Sequence, residues 1–278
     1  MGKAKRPQKS QSKTSNKHNR PKPYAAHGHN AASKPTSKKS GVQASPKANA
    51  VRQAPLTVPT IPFSAHDRIL LVGEGDLSFA RSLLDHHGCA DLTATVFDSS
   101  SELTSKYPQA ASHISALEAE GQTVLYGIDA TKLGRQKKAL REKRWDRIIF
   151  NFPHVGGKST DVNRQVRYNQ EMLVSFFKAA APLLAQDGGT IVVTLFEGEP
   201  YTLWNVRDLA RHSGLEVQRS FVFRAEAYPG YSHARTLGNI AGGGGWKGED
   251  RAARTYIFQT KGGAVLRKRS VSVESEVE

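Results

Sequence analysis

The chain has a single cysteine, Cys89, in 278 residues. One thiol excludes an internal disulfide and any Cys-based metal cluster, and it fits a reducing compartment. Cys89 lies between a helix-like and a strand-like segment, where a cysteine is ordinarily structural. No apolar run approaches the roughly 18 residues that a bilayer span needs. The N-terminal stretch has no apolar core of a secretory signal, and it is too polar for an amphipathic transit helix. Acids are missing altogether from residues 1–60, which hold 13 of the 40 lysines and arginines; the first acid is Asp67. The net charge of +15 is therefore concentrated at one end, and residues 61–278 carry only +2.

Residues 1–60 are rich in Ser, Pro, Gln, Asn and Ala and show no apolar periodicity. Such a segment cannot bury enough apolar surface to offset its ordering entropy, so a disordered basic arm is expected. A cationic arm without acids suits a polyanion, and nucleic acid fits best, through counterion release and without sequence preference. A solubilising or import role is the plain alternative. Residues 263–278 are expected to be a disordered tail.

Residues 61–262 alternate strand-like and helix-like patterns. Strands are expected at Arg68–Gly73, Thr93–Phe97, Gln122–Tyr126, Ile148–Phe150, Thr190–Phe196, Leu215–Phe223 and Thr255–Thr260. Helices are expected at Ser78–His87, Glu102–Glu120, Leu133–Lys143, Arg164–Leu184 and Tyr201–Ser213, the last capped by Gly214. This order predicts an α/β fold: a seven-stranded, mostly parallel, doubly wound sheet with helices on both faces and a late antiparallel strand. A Gly-rich insertion, 225–253, interrupts the last pair of strands and reads as a lid or substrate loop.

In such sheets ligands bind beyond the carboxyl ends of strands. Gly73-Glu74-Gly75-Asp76-Leu77-Ser78 follows the first strand. Its glycines allow a tight turn and close backbone approach, but Ser78 replaces the third glycine of a dinucleotide fingerprint. A pyrophosphate needs a bare, positively polarised helix start. Glu74 and Asp76 place negative charge there, which suits a ligand with an amino group and no phosphate. S-adenosylmethionine meets that description better than NAD. Asp98 ends the second strand, where an acid can bond both ribose hydroxyls; the plain alternative is an N-cap for the next helix. Asp129 follows the third strand and can accept from an adenine amino group, with Ile128 against the ring; it too could be an N-cap.

The fourth strand stops at Asn151-Phe152-Pro153-His154. An amide, an aromatic ring, a rigid turn and an imidazole suit a flat polar ring such as a nucleobase, though alone they could be an ordinary turn. Asn151 is the candidate for orienting a base edge. His154 could stack, act as a general base, or stabilise its loop. Phe152 and Pro153 read as walls. In the insertion, Tyr228 and Tyr231 could stack on bases while His233 and Arg235 meet phosphates. Glu197, just past the fifth strand, could line the same pocket. No metal-binding set is apparent.

Five segments, GEGDLSF at 73–79, ATVFDS at 94–99, GIDAT at 127–131, NFPHVGG at 151–157 and YPGYSHARTLG at 228–238, together resemble the uridine-N3-methyltransferases of large-subunit ribosomal RNA. The resemblance covers about residues 66–260. It implies a Rossmann-like class I methyltransferase fold, S-adenosyl-L-methionine as donor, and a uridine of large-subunit rRNA, free or in a pre-ribosome, as acceptor. It also implies a nucleolar, hence nuclear, location. A monomer without membrane or metal partners is expected. The NFPH segment is similar to the (Asn/Asp)-Pro-Pro-(Phe/Tyr) signature of base N-methyltransferases, but Phe152 and His154 depart from it. A non-catalytic rRNA-binding assembly factor would use the same arm and fold, and an NAD-dependent oxidoreductase is the third reading.

Overall fold

Seven strands lie in the order β3-β2-β1-β4-β5-β7-β6 in a computed structural model that describes residues 58–236, 238–239 and 248–262. They are β1 (Arg68–Leu71), β2 (Asp91–Thr95), β3 (Thr123–Leu125), β4 (Arg147–Asn151), β5 (Thr190–Phe196), β6 (Leu215–Phe223) and β7 (Ala253–Thr260). The first five pair in parallel, and β7 runs antiparallel to both β5 and β6. The expected architecture and the late antiparallel strand are therefore present. The expected arm and tail lie, apart from residues 58–60, outside the described residues.

The strand sequences explain why both faces are covered. Leu70, Val72, Ile148, Phe150, Ile191 and Val193 face one way and meet α6 (Val162–Ala180) and α7 (Val206–His212). Ile69, Leu71, Ile149 and Val192 face the other way and meet α1 (Ser78–His87), α2 (Ser100–Lys106) and α3 (Ala110–Ala119). Alternation at period two thus feeds two cores, as a buried parallel sheet requires. Cys89 sits in the second core, fully buried, and burial pushes its thiol up to about 11, which makes it inert.

Three helix expectations need correction, each for a local backbone reason. The segment 102–120 is two helices, α2 and α3, broken at Tyr107-Pro108, because proline disfavours the helical conformation in the residue before it. The basic segment 133–143 is two short pieces, α4 (Leu133–Gln136) and α5 (Lys138–Glu142), with Lys137 extended between them. The segment 201–213 is a 3-10 turn, Tyr201–Trp204, and then α7, separated by Asn205 in the left-handed region.

β1 pairs with β2 on one side and β4 on the other. The crevice of a doubly wound sheet opens at this reversal, beyond the carboxyl ends of β1 and β4.

Candidate functional site

A cleft of about 940 Å³ lies at that edge. All but two of the fourteen candidate residues line it: Gly73, Glu74, Gly75, Asp76, Asp98, Asp129, Asn151, Phe152, His154, Tyr231, His233 and Arg235. The exceptions are Pro153 and Tyr228. Pro153 is buried behind the turn and stiffens it from within. Tyr228 is only 4% exposed; its ring stacks on Phe223 at 5.4 Å and meets Phe79 at 4.8 Å. It is a core side chain and cannot reach a base.

The end of the cleft over β1, β2 and β3 is acidic and internally bonded. Gly73 has φ +66, and a Cβ there would lie 2.6 Å from the Phe150 ring. Glu74 Oε2 accepts from the Ala80 N–H at 3.3 Å, and Asp76 Oδ1 accepts from the Ser78 N–H at 3.0 Å. Both carboxylates therefore occupy N–H groups at the start of α1 that a phosphate would need. Burial pushes the Glu74 carboxyl up to about 8, the Ala80 bond opposes this, and Asp76 adds to the rise. A cation is the ligand that would relieve the pair.

Asp98 does not cap α2. Ser99 does so, in a capping box with Glu102. The Asp98 carboxylate instead accepts from Lys106 Nζ at 2.6 Å beside the cleft. Asp129 does act as a cap: its Oδ1 accepts from the Thr131 N–H at 2.9 Å and its Oδ2 pairs with Lys132 at 2.9 Å. Burial works to raise the Asp129 pKa, but the Thr131 and Lys132 bonds outweigh it and hold the carboxyl below its usual range. An adenine amino group there would have to share Oδ2 with Lys132.

The segment after β6 covers this end instead of only clamping a substrate. Ser78 Oγ donates to the Ser232 carbonyl and accepts from the Ser232 N–H, both at 3.1 Å. Ala234 lies so close to Gly75 that a Cβ on the glycine would come within 2.5 Å of the alanine methyl. Tyr107 Oη donates to the Arg235 carbonyl, and the Asn239 N–H donates to the Lys106 carbonyl at 3.0 Å. Serine at the third fingerprint position thus has a packing reason: it anchors the return of the chain. Residues 237 and 240–247 of the insertion lie outside the described residues.

The other end of the cleft, beyond β4 and β5, is aromatic. Phe152 follows β4 with φ +50, a left-handed conformation that is strained for a bulky residue. Its ring lies 4.5 Å from Phe196 and 4.5 Å from His233, and Tyr201 packs 5.3 Å from Phe196. Burial pushes His233 down to about 4, with Glu249 opposing and Arg251 assisting. This burial disfavours the charged imidazolium expected for a phosphate contact, and the ring instead packs edge-on against Phe152 and Phe196. Glu197 is not on the cleft; it pairs with Arg254 Nε at 2.7 Å.

Asn151 Nδ2 is buried and has no hydrogen-bond partner within the described residues. Leaving such a donor unmade costs roughly 1–3 kcal/mol, which a ligand acceptor would recover. The loop that follows is held from α6. Asn169 Oδ1 accepts from the Val155 N–H at 3.0 Å, and Gln165 Nε2 donates to the Gly156 carbonyl at 2.6 Å. Sequence reading missed Gln165, Asn169, Lys106, Tyr107, Phe196 and Tyr201. Only Phe196 carried a signal, as the last residue of a predicted strand at the ligand edge.

Residues 70–235 match the model of the BMT5-like family, described as rRNA (uridine-N3-)-methyltransferases. The 25S rRNA (uridine(2634)-N(3))-methyltransferase of Saccharomyces cerevisiae is 30% identical over 71% of this chain and 74% of its own. Heavy metal-associated isoprenylated plant protein 41 of Arabidopsis thaliana is 37% identical over 62% of this chain; the chain spans about a third (34%) of that longer protein. The solved 16S rRNA (adenine(1408)-N(1))-methyltransferase of Catenulisporales acidiphilia is 13% identical over 70% of this chain and 87% of its own, with a TM-score of 0.41. With the family match covering more than half of its residues and the cleft built from the matched segments, the chain belongs to the BMT5-like rRNA (uridine-N3-)-methyltransferase family.

Proposed function

We propose that the protein methylates N3 of a uridine in large-subunit rRNA, with S-adenosyl-L-methionine as donor. The observation that carries this reading is the division of one cleft: three strand ends bear acids, and the fourth bears an unpartnered buried amide donor beside an aromatic wall.

The residues present fit the donor. Glu74 and Asp76 offer negative charge to its amino group and leave no bare helix start for a pyrophosphate, which argues against a dinucleotide. Asp98 would hold the ribose, and Ile128 with Asp129 would border the adenine. When bound, S-adenosylmethionine supplies an activated methyl on a sulfonium, so positioning and charge matching are the protein's part. Phe152, Phe196 and His233 would wall a flat base, and Asn151 would donate to its imide edge. The base must be single-stranded or flipped out to enter.

The partner is large-subunit rRNA or a pre-ribosome, met by the protein as a monomer in the nucleolus. The basic residues 1–60 would add affinity without sequence preference. Incubating the full chain with the donor and large-subunit rRNA, then mapping modified nucleotides by mass spectrometry, tests the reading. A methyl group on N3 of one uridine is expected. Donor binding without any transfer would leave an rRNA-binding assembly factor as the better description. Deleting residues 1–60 should leave donor affinity intact and flatten the salt dependence of RNA binding.

A further inference from the structure

We infer that His154 serves the acceptor base as a hydrogen-bond donor through Nε2–H, not as the base that removes its proton, and that with Asn151 Nδ2 it selects uridine over cytidine. This inference rests on the acceptor site proposed above.

The Gly156 N–H donates to His154 Nδ1 at 2.9 Å. A backbone N–H can only donate, so Nδ1 must carry its lone pair. A neutral imidazole has one N–H, which is then on Nε2. The loop is tied in this shape from two sides of Gly156. Asn169 accepts from the Val155 N–H, and the Gln165 amide bridges the Gly156 carbonyl and the Lys158 N–H. Adding a proton to Nδ1 would set two donors against each other. Partial burial by the cleft walls lowers the His154 pKa in the same direction. Neither nitrogen has a lone pair free for a substrate proton.

The imide edge of uracil presents acceptor, N–H, acceptor. When N3 loses its proton, negative charge spreads onto both flanking carbonyl oxygens. Two donors, the unpartnered Asn151 Nδ2 and His154 Nε2–H, suit that pattern and stabilise the charge. Cytosine replaces one carbonyl with an amino group, so one donor would face another. A buried donor left unmade in this way is a strong discriminator.

The N3 proton passes to solvent hydroxide, the N3 lone pair bonds the methyl carbon, and the sulfur–carbon pair of electrons returns to sulfur. Lys158, Tyr168, Glu171, Tyr201, Tyr231 and His233 are the other titratable groups on this part of the lining. None is required to take the proton.

His154→Gln keeps an N–H donor and removes the imidazole; His154→Phe keeps a flat ring and removes the donor. With rRNA as acceptor, His154→Gln should retain kcat within about tenfold, with the slope of rate against pH unchanged. His154→Phe should lose about 100-fold in kcat with donor Kd unchanged. Replacing the target uridine by cytidine should abolish transfer. A His154→Gln variant as slow as His154→Phe, with the pH-dependent limb lost in both, would overturn the inference and restore a general base. A fully active His154→Phe variant would instead overturn the acceptor-site reading itself. Nitrogen-15 NMR of the unmutated full chain gives a check independent of any variant. Nδ1 should be unprotonated and Nε2 protonated at about pH 8, where even an ordinary imidazole is neutral; the opposite tautomer would end the proposal.

Discussion

The two ends of the cleft handle polar groups in opposite ways. Over β1–β3, every proposed donor-site carboxylate already has a protein partner: Glu74 with Ala80, Asp76 with Ser78, Asp98 with Lys106, Asp129 with Thr131. Over β4 and β5, Asn151 Nδ2 has none among the described residues, and Phe152 is held in a strained turn. Satisfied groups keep a site rigid before its ligand arrives, while an unsatisfied donor gains most when charge develops opposite it. The first arrangement suits binding and the second suits a transition state. The comparison predicts that substitutions at the two ends will separate donor affinity from turnover.

The largest effect should come from Asn151→Ala. Losing a donor proposed to meet developing charge costs about 10²–10³-fold in kcat. Donor Kd should stay within a factor of two or so of the unmutated protein, because Asn151 lies on the other end of the cleft. Calorimetry with the donor and single-turnover transfer to rRNA measure the two quantities. A parallel loss of both would mean that the ends are not separable.

Asp98→Ala should do the converse. Removing a carboxylate proposed to bond a ribose costs about 1–3 kcal/mol of donor affinity, roughly 10- to 100-fold, with kcat at saturating donor little changed. Wild-type affinity in this variant would remove Asp98 from the donor site.

The two ends also differed in how far they could be read from residues alone. The alternation of strands and helices, the late antiparallel strand and the acids at strand ends were readable from apolar runs and the rule for ligand position in open sheets, whereas the spatial strand order was not. The proposed donor residues could be brought to one cleft from sequence because they sit at strand ends in sequence order. What escaped was anything set by contacts distant in sequence. Tyr228 looks like a base-stacking aromatic until Phe79, Phe223 and His87 close around it. Lys106 reads as one more surface lysine until α2 turns it onto Asp98, and Gln165 and Asn169 read as helix surface until the loop at 155–159 docks on them. The helix breaks at Pro108 and Asn205, by contrast, have local backbone causes.

Proton coupling gives a smaller, sharper test of the donor end. Glu74 has its carboxyl pushed up to about 8 by burial. Because this lies above its ordinary value, the folded free protein holds the proton more tightly than the unfolded chain. The contribution of Glu74 to stability is thus fully present at acid pH and declines as pH rises toward 8. A cationic ligand prefers the ionised carboxylate, so binding should release a proton below about pH 8 and donor affinity should fall up to about tenfold per pH unit there. Calorimetry in buffers of different ionisation enthalpy reads the released proton directly. Glu74→Gln should abolish the release. No release in the unmutated protein would place the donor's charge elsewhere.

Lys106→Met should give the smallest effect and probes how the donor end is assembled. Its ammonium pairs with Asp98 while its side chain remains about a third exposed, a setting in which an ion pair contributes at most about 1 kcal/mol. Its carbonyl, which accepts from Asn239, is untouched by the substitution. Donor affinity should therefore weaken only a few-fold, by releasing the Asp98 carboxylate from one orientation. If the loss instead matched that of Asp98→Ala, Lys106 would itself contact the donor. In the combined variant the two losses should be less than additive, since Lys106 acts through the carboxylate that Asp98→Ala removes.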